Sequence, residues 1–291
     1  MPIPSYPEFA EISLDMREEL LPALNQTPDG ISEFTFSNLY LFRGTYGYRL
    51  SRVSDEVLLV EGAKQGKSFF YVPFGLPPDE VLREMMERKD YLKNFSDRQV
   101  AEHGPKLRAM GYEIHEDRDN FDYIYERRDL ADLVGKPYHK KRNLVNAFTN
   151  AYACDSHILT RDNLADAFEV LDEWVKAKGE PGDVEASKEA LERYDILGMQ
   201  GCLYYVEDRP VGWCLGEPVA AGTMFAVHFE KGLDRYKGVY QFINQSFAKE
   251  LPEDYRLVNR EQDLGDEGLR QAKLTYRPSG FVRKHRVVKA A

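Results

Sequence analysis

The run 223–230 reads as a β-strand, and alternation puts His228 and Glu230 on one face with Ala226, and Phe225, Val227 and Phe229 on the other. An amine or hydroxyl must lose a proton as it attacks an electrophilic carbon, so His228 or Glu230 is a candidate general base. A second polar run, Val258-Asn259-Arg260-Glu261-Gln262-Asp263-Leu264-Gly265, would place Asn259, Glu261 and Asp263 on one strand face. Three acceptor-rich groups in a row are costly to bury without partners. That face is expected to be solvated or to hold a ligand such as an ammonium group. Arg270 and Lys273 follow on one helical face, and Tyr276 closes that segment. The plainer reading there is a helix with cations favoured near its C-terminus.

Two further segments suit anions. Arg235-Tyr236-Lys237-Gly238-Val239-Tyr240 lies directly before an amphipathic helix. The free N–H groups and dipole of a helix N-terminus bind phosphate, and a glycine lets the backbone approach closely. Arg235, Lys237 and Gly238 are therefore candidate donor-binding residues, although the bulk of Tyr240 would narrow such a site. The block Lys136-Pro137-Tyr138-His139-Lys140-Lys141-Arg142-Asn143 concentrates positive charge. Lys140, Lys141 and Arg142 could meet phosphate, tRNA or a lipid head group, or form a solvated helix face.

Elements that position these residues can be read from periodicity. In the first half, a helix is expected over 7–21, and aromatic-rich text follows at 34–42. Strands over 46–53, 56–63 and 68–73 have short connections, as in antiparallel hairpins. A helix over 77–88, with prolines in its first turn, precedes a strand over 91–95, a helix over 97–110 ended by Gly111, and a strand over 120–126. The second half opens with the basic, largely helical stretch 130–152. The helix over 162–178 has Leu164, Ala167, Phe168, Leu171, Trp174 and Val175 on one face. A loop over 179–183 and a helix over 187–197 lead to a three-strand meander over 201–206, 211–218 and 223–230. A helix over 238–250, a strand over 255–262, a helix over 267–275 and a strand over 281–288 complete the chain.

With 291 residues the chain is long enough for about two domains of ~150 residues. Hydrophobic residues make up 43% and charged residues 30%, as in ordinary globular proteins. No apolar run approaches the ~18 residues of a membrane span. The first 24 residues are acidic, unlike a signal peptide, so a cytoplasmic location is expected. Cys154, Cys202 and Cys214 show no paired spacing, which argues against a zinc site or disulfide framework. The net charge of −10 argues against a surface that grips nucleic acid or anionic lipid throughout, while leaving room for a local basic patch.

The blocks Tyr138–Asn143, Val227-His228-Phe229-Glu230-Lys231, Gln241-x-Ile243-Asn244 and Val258–Gly265, with Gly268-Leu269-Arg270-x-x-Lys273, together resemble a known family. It is a domain-of-unknown-function class related to the C-terminal catalytic domain of phosphatidylglycerol lysyltransferases, and the resemblance runs from about Phe34 onward. It implies an α+β, tandem acyl-CoA N-acyltransferase-like (GNAT-like) fold. A degenerate first copy would occupy 1–130, and a second copy over 131–291 would carry the site. Acyl-CoA transferases of this fold carry Gln/Arg-x-x-Gly-x-Gly/Ala before the donor-binding helix. Arg235 and Gly238 match that pattern and Tyr240 departs from it. In this fold a tyrosine standing where Tyr276 stands often protonates the leaving thiolate. The lysyltransferases move an aminoacyl group from a charged tRNA to a lipid and are similar to Fem-type peptidoglycan aminoacyltransferases. Their acidic and basic site chemistry maps to Glu230, Glu261, Asp263, Arg270 and Lys273. Their membrane-embedded half has no counterpart in these residues, so integral membrane association and a lipid acceptor are not expected.

The expectation is thus a soluble transferase that moves an acyl group from an acyl-CoA or aminoacyl-tRNA to an amine or hydroxyl, without a metal. Two alternatives stand beside it. One is a tRNA-dependent aminoacyltransferase that uses 136–142; the other is a non-catalytic metabolite-binding protein, which Tyr240 favours.

Overall fold

The two halves of the chain form two seven-stranded mixed sheets that trade one strand with each other. The structure, a computed structural model, describes residues 3–179 and 182–290. Positions 180–181 of the loop expected at 179–183 lie outside the described residues. The strands are β1 (Ala10–Glu11), β2 (Arg49–Ser54), β3 (Val57–Lys64), β4 (Lys67–Tyr71), β5 (Tyr91–Ser96), β6 (Tyr112–Glu116) and β7 (Asp122–Glu126). They continue with β8 (Cys154–Ile158), β9 (Gln200–Val206), β10 (Arg209–Val219), β11 (Met224–Gly232), β12 (Leu257–Asn259), β13 (Gly280–Val282) and β14 (Lys284–Lys289). The helices are α1 (Arg17–Leu24), α2 (Phe36–Leu41), α3 (Arg43–Tyr46), α4 (Asp79–Arg88), α5 (Asp97–Ala109), α6 (Arg127–Asp132), α7 (His139–Ala151), α8 (Leu164–Lys178), α9 (Val184–Leu197), α10 (Val239–Glu250) and α11 (Glu267–Leu274).

The first sheet has the order β1-β2-β3-β4-β5-β14-β6, and the second has β8-β9-β10-β11-β12-β7-β13. These are the same arrangement used twice. In each, a meander leads through a helix (α4 or α10) to a strand parallel to the last meander strand, β5 on β4 and β12 on β11. In each, the sixth place is filled by a strand of the other half. β7 pairs with β12 and β13, and β14 pairs with β5 and β6.

A cut at 130/131 would therefore take β7 from the second sheet and leave the edges of β12 and β13 unpaired. A fragment of residues 131–291 is expected to show no cooperative melting transition by circular dichroism, where the whole chain shows one. A cooperative fragment would contradict the exchange.

The largest core cluster joins both halves: Phe34, Phe36, Leu50, Phe69 and Tyr71 pack with Leu171, Leu203, Trp213 and Phe229. Every residue of α2 is buried, which accounts for the apolar text at 34–42. α5 is closed by a capping box between Ser96 and Gln99. Among the described residues, no helix is long and apolar enough to cross a membrane.

Several expected elements are corrected. The helix expected over 7–21 starts only at Arg17, because residues 10–11 pair as β1 with β2. The strand expected over 255–262 stops at Asn259, since Glu261 has a left-handed backbone, φ 57°. The strand expected over 281–288 is two strands in different sheets, β13 and β14, separated at Arg283. β6 and β8 carry too few apolar residues in alternation to be read from the sequence.

Candidate active site

His228 occupies a bulge in β11. Leu215 of β10 pairs with Phe229 and Gly216 pairs with Val227, so His228 is the extra residue. A bulge re-aims side chains. It splits the apolar face expected from alternation: Phe225 and Val227 enter one core cluster and Phe229 another. It also separates His228 from Glu230. His228 Nδ1 lies 2.7 Å from Glu261 Oε1, and Nε2 lies 3.0 Å from Glu217 Oε1. The side chain is 2% exposed. Burial alone would lower the histidine pKa, but the hydrogen bonds to Glu217 and Glu261 outweigh it and raise it from 6.5 to about 10. Both ring nitrogens then donate, so the ring is an imidazolium with no free lone pair. The expected base role of His228 is not available in this arrangement; the ring orients Glu261 instead.

A folded-state pKa above the unfolded value means that the clamp stabilises fully below about pH 6.5 and is lost as pH rises through about 10. The stability difference between wild type and His228→Gln, from urea denaturation, is expected to shrink by roughly 3–5 kcal/mol over that window. A difference that does not change with pH would exclude the clamp.

Between the halves lies a cavity of about 900 Å³. Glu230, Arg260, Glu261, Lys273 and Tyr276 line it from the second half, Lys141 from α7, and Glu33, Tyr46, Lys64 and Lys93 from the first half. The αL turn aims Glu261 here, and the Asn259 side chain fixes that turn by accepting from the Glu261 N–H at 2.7 Å. Glu261 keeps 21% of its side chain exposed. Arg260 donates to Glu230 Oε2 at 2.9 Å. Lys141 Nζ lies 4.0 Å from the Tyr276 ring centroid and the Arg260 guanidinium 5.2 Å from it. Burial pushes the Tyr276 hydroxyl pKa up against the opposing effect of Arg260, so the phenol holds its proton at neutral pH. Lys273 Nζ donates to the carbonyls of Arg260 and Glu261.

Burial is the largest cause of low lysine pKa values in this wall. Lys141 falls to about 8, with Arg260 adding and Glu230 opposing. Lys273 falls to about 8, with Arg260 adding and Glu261 opposing. Lys93 also falls to about 8, with Glu33 opposing and Lys284 and Lys64 adding. A carboxylate held by an imidazolium, a second held by a guanidinium, and a phenol beside two cations thus share one chamber. Such a chamber can move a proton from an attacking group, stabilise a developing oxyanion and protonate a leaving group.

The remaining candidates lie elsewhere. Asn259 is buried, where its amide donates to the Gly30 carbonyl at 2.9 Å and to Asp122 at 3.1 Å. Asp263 is fully buried among Arg270, Arg118 and the Tyr123 hydroxyl. Burial opposes its ionisation, but those hydrogen bonds hold its carboxyl well below the usual range. Arg270 also binds Asp119 at 2.7 Å, so Asp263 and Arg270 lock the turn before α11. The strand face expected to carry Asn259, Glu261 and Asp263 together is not formed. Arg235 pairs with Glu173 on the surface, Lys237 is exposed, and neither lines the cavity. Gly238 has φ 93°, and a Cβ there would collide with the Leu144 carbonyl of α7. Its close approach is to α7, with Phe148 stacked on Phe242 at 4.7 Å. Tyr240, by contrast, does line the cavity, and its hydroxyl accepts from Trp174 Nε1 at 2.8 Å. Lys140 is exposed, and Arg142 binds the carbonyls of Leu133 and Gly135.

Sequence reasoning missed Glu217, Lys93 and Lys231. Lys231 pairs with Asp183 at 2.6 Å and lies 4.1 Å from the Trp174 ring centroid. The signal available was a lone charge inside an apolar strand, as in Tyr91-Leu92-Lys93-Asn94-Phe95.

The repeated sheet order and the polar cavity between the two copies define a tandem GNAT-like α+β fold. Within that class, the chain belongs to the family described as phosphatidylglycerol lysyltransferase, C-terminal, whose model matches residues 25–287. A conserved protein of unknown function from Bacteroides thetaiotaomicron VPI-5482 is 30% identical, with a TM-score of 0.85 over 97% of this chain and 99% of that one. The structure of L-PGS from Bacillus licheniformis is 17% identical, with a TM-score of 0.62 over 99% and 94% of the two chains. FemX, 10% identical with a TM-score of 0.54 over 96% of each chain, shares the fold alone. An uncharacterized protein of Mycoplasmoides gallisepticum is 25% identical over 183 residues, 60% of this chain; that match spans 57% of the curated relative's length. Family and fold relate the chain to acyl- and aminoacyltransferases.

Proposed function

We propose that the chain transfers an acyl or aminoacyl group from an ester- or thioester-activated donor to an amine or hydroxyl acceptor inside this cavity. The observation that carries the reading is the meeting of Glu261, Glu230, Tyr276, Lys141 and Arg260 in one chamber of about 900 Å³. The acceptor's nitrogen or oxygen attacks the acyl carbon while Glu261, held by His228, takes its proton. The carbonyl oxygen gains negative charge beside the cations. The tetrahedral adduct then expels the donor's oxygen or sulfur, which takes a proton from Tyr276. Lys141 and Arg260 stand beside the Tyr276 ring and stabilise the phenolate that this leaves. Holding the reactants together supplies much of the acceleration.

The surroundings of Gly238 favour a donor that does not place a pyrophosphate on the α10 N-terminus. Lys140 is exposed on the first turn of α7, next to Lys141 in the cavity wall, which favours a charged tRNA as donor. Purified protein titrated with aminoacyl-tRNA and, separately, with acyl-CoA tests this. Deacylation that depends on an added amine, with affinity falling steeply with salt, is expected for the tRNA. Turnover of acyl-CoA alone, or tRNA binding insensitive to salt, would contradict the donor assignment. Binding without turnover of either donor would leave a binding protein in place of an enzyme.

A further inference from the structure

Lys93 stands in β5, on the first-half wall of the cavity, and is 5% exposed. Its ammonium lies 5.0 Å from the ring centroid of Phe69 and 5.7 Å from those of Tyr46 and Tyr71. Among the described residues no carboxylate forms an ion pair with it. Glu33, the acid whose field acts on it most, is bound to Lys284. The aromatic faces are the compensation available to this charge, and an ammonium buried without a counter-ion is otherwise costly. Lys64 lines the same wall, with its ammonium 6.0 Å from the Tyr46 centroid. Asn38 and Thr45 add neutral hydrogen-bonding groups to that wall.

Among the described residues, the other lysines buried to this degree are supplied with carboxylates. Lys284 has two carboxylates and Lys231 has Asp183. Lys93 differs in opening onto the cavity with its charge unmatched. An anion that enters the cavity would supply the missing partner. The chemistry favours a carboxylate. Phosphate sites usually add an arginine fork or a helix N-terminus to share a double charge, whereas the ammonium of Lys93 stands among rings. A monoanion matches it, and those rings offer apolar contact to the body of an organic acid.

We propose that Lys93, with Lys64 beside it, is a carboxylate-binding subsite on the first-half wall of the cavity. The subsite itself does not depend on acyl transfer. That it seats the acceptor, through an acid group distant from the attacking atom, rests on the transfer reading above. It would give the degenerate first copy a part in substrate choice.

Calorimetric titration of the whole chain with N-acetylglycine, at constant ionic strength and with no donor present, tests the subsite. Inorganic phosphate is the second arm. N-acetylglycine is expected to bind wild type, and Lys93→Met is expected to weaken that binding by at least ~30-fold, the loss of one partner of a buried charge pair. The surface variant Lys176→Met, on the exposed side of α8, should bind as wild type does. Ligand-free Lys93→Met should melt no lower than wild type, since it removes an unmatched buried charge; a clear fall would make Lys93 a structural residue and overturn the proposal. Should that variant not fold, wild type still decides: N-acetylglycine should slow amine-selective labelling of Lys93 and not of Lys176, read by mass spectrometry. No binding to wild type, equal binding to Lys93→Met, or unprotected Lys93 would overturn the subsite. Binding of phosphate alone would overturn the carboxylate assignment. Binding of N-acetylglycine in a protein that turns over no donor would sustain the subsite and remove the transfer reading instead.

Discussion

Acyl transfer by Glu261→Gln is expected to run roughly 10²–10⁴-fold slower than by wild type, the usual contribution of a positioned general base. Glutamine keeps the shape of the side chain and can still accept a hydrogen bond from His228 Nδ1. The imidazolium would also keep its other carboxylate, Glu217, at 3.0 Å. Glu217 is itself held by the Ser37 hydroxyl at 3.0 Å. The αL turn at residue 261 depends on the Asn259 side chain and the backbone N–H, and the substitution touches neither. Rate loss should therefore arrive with little change in melting temperature. Single-turnover release of the donor, measured beside a thermal melt, separates the two effects. A rate within ~3-fold of wild type would remove Glu261 from the proton transfer; Glu230, bound to Arg260, would be the remaining carboxylate to test.

Lys284→Met is expected to lower the unfolding free energy by ~3–5 kcal/mol, the cost of leaving buried charges without their partner. Lys284 is fully buried and binds Glu33 and, at 2.7 Å, Asp122 Oδ1. Asp122 also accepts from Ser32 N at 3.0 Å, Ser32 Oγ at 3.1 Å, Asn259 Nδ2 at 3.1 Å and Gln262 Nε2 at 2.6 Å. Asp122 begins β7 and Lys284 begins β14, the two exchanged strands. Their ion pair joins the two sheets at the point where the strands cross over. Burial pushes the Asp122 carboxyl pKa up while Lys284 pulls it down. Without the ammonium, two carboxyls would share a buried site with no cation bound to either. The exposed pair Arg161–Asp195 is the control, and Arg161→Met is expected to leave the unfolding midpoint nearly unchanged. Urea denaturation of both variants checks the contrast. A loss below ~1 kcal/mol for Lys284→Met would mean that the exchange is held by packing alone.

The second-half meander and the helix after it were legible because strands of seven to eleven residues and a helix of twelve carry enough periodicity to be read. His228, Glu230, Glu261 and Tyr276 were also legible as polar or phenolic groups near one another, and all four line the cavity. Their roles were not legible. One extra residue in β11 separated His228 from Glu230 and Phe229 from Val227, and a bulge leaves no mark in polar–apolar alternation. A single αL residue sent Asn259, Glu261 and Asp263 to three different surroundings, although alternation had put them on one face. The strand exchange was hidden for a different reason. A three-residue strand, β13, precedes β14 with one residue between them, and no local property of Arg283 reports that the chain passes there from one sheet to the other. Lys93 was read as part of a strand; its meaning depends on rings from β4 and the segment before β2, which only the fold brings together.

The position of a bound donor bears most directly on the claim that the cavity between the two copies is where transfer occurs. A crystal structure with an amide-linked, non-hydrolysable aminoacyl-adenosine would show it. The acyl carbon is predicted to lie inside the cavity, with its leaving group within hydrogen-bond reach of the Tyr276 hydroxyl and the Glu261 carboxylate beside the attacking position. An analogue seated on the α10 N-terminus at Gly238, with its acyl group outside the cavity, would contradict the account.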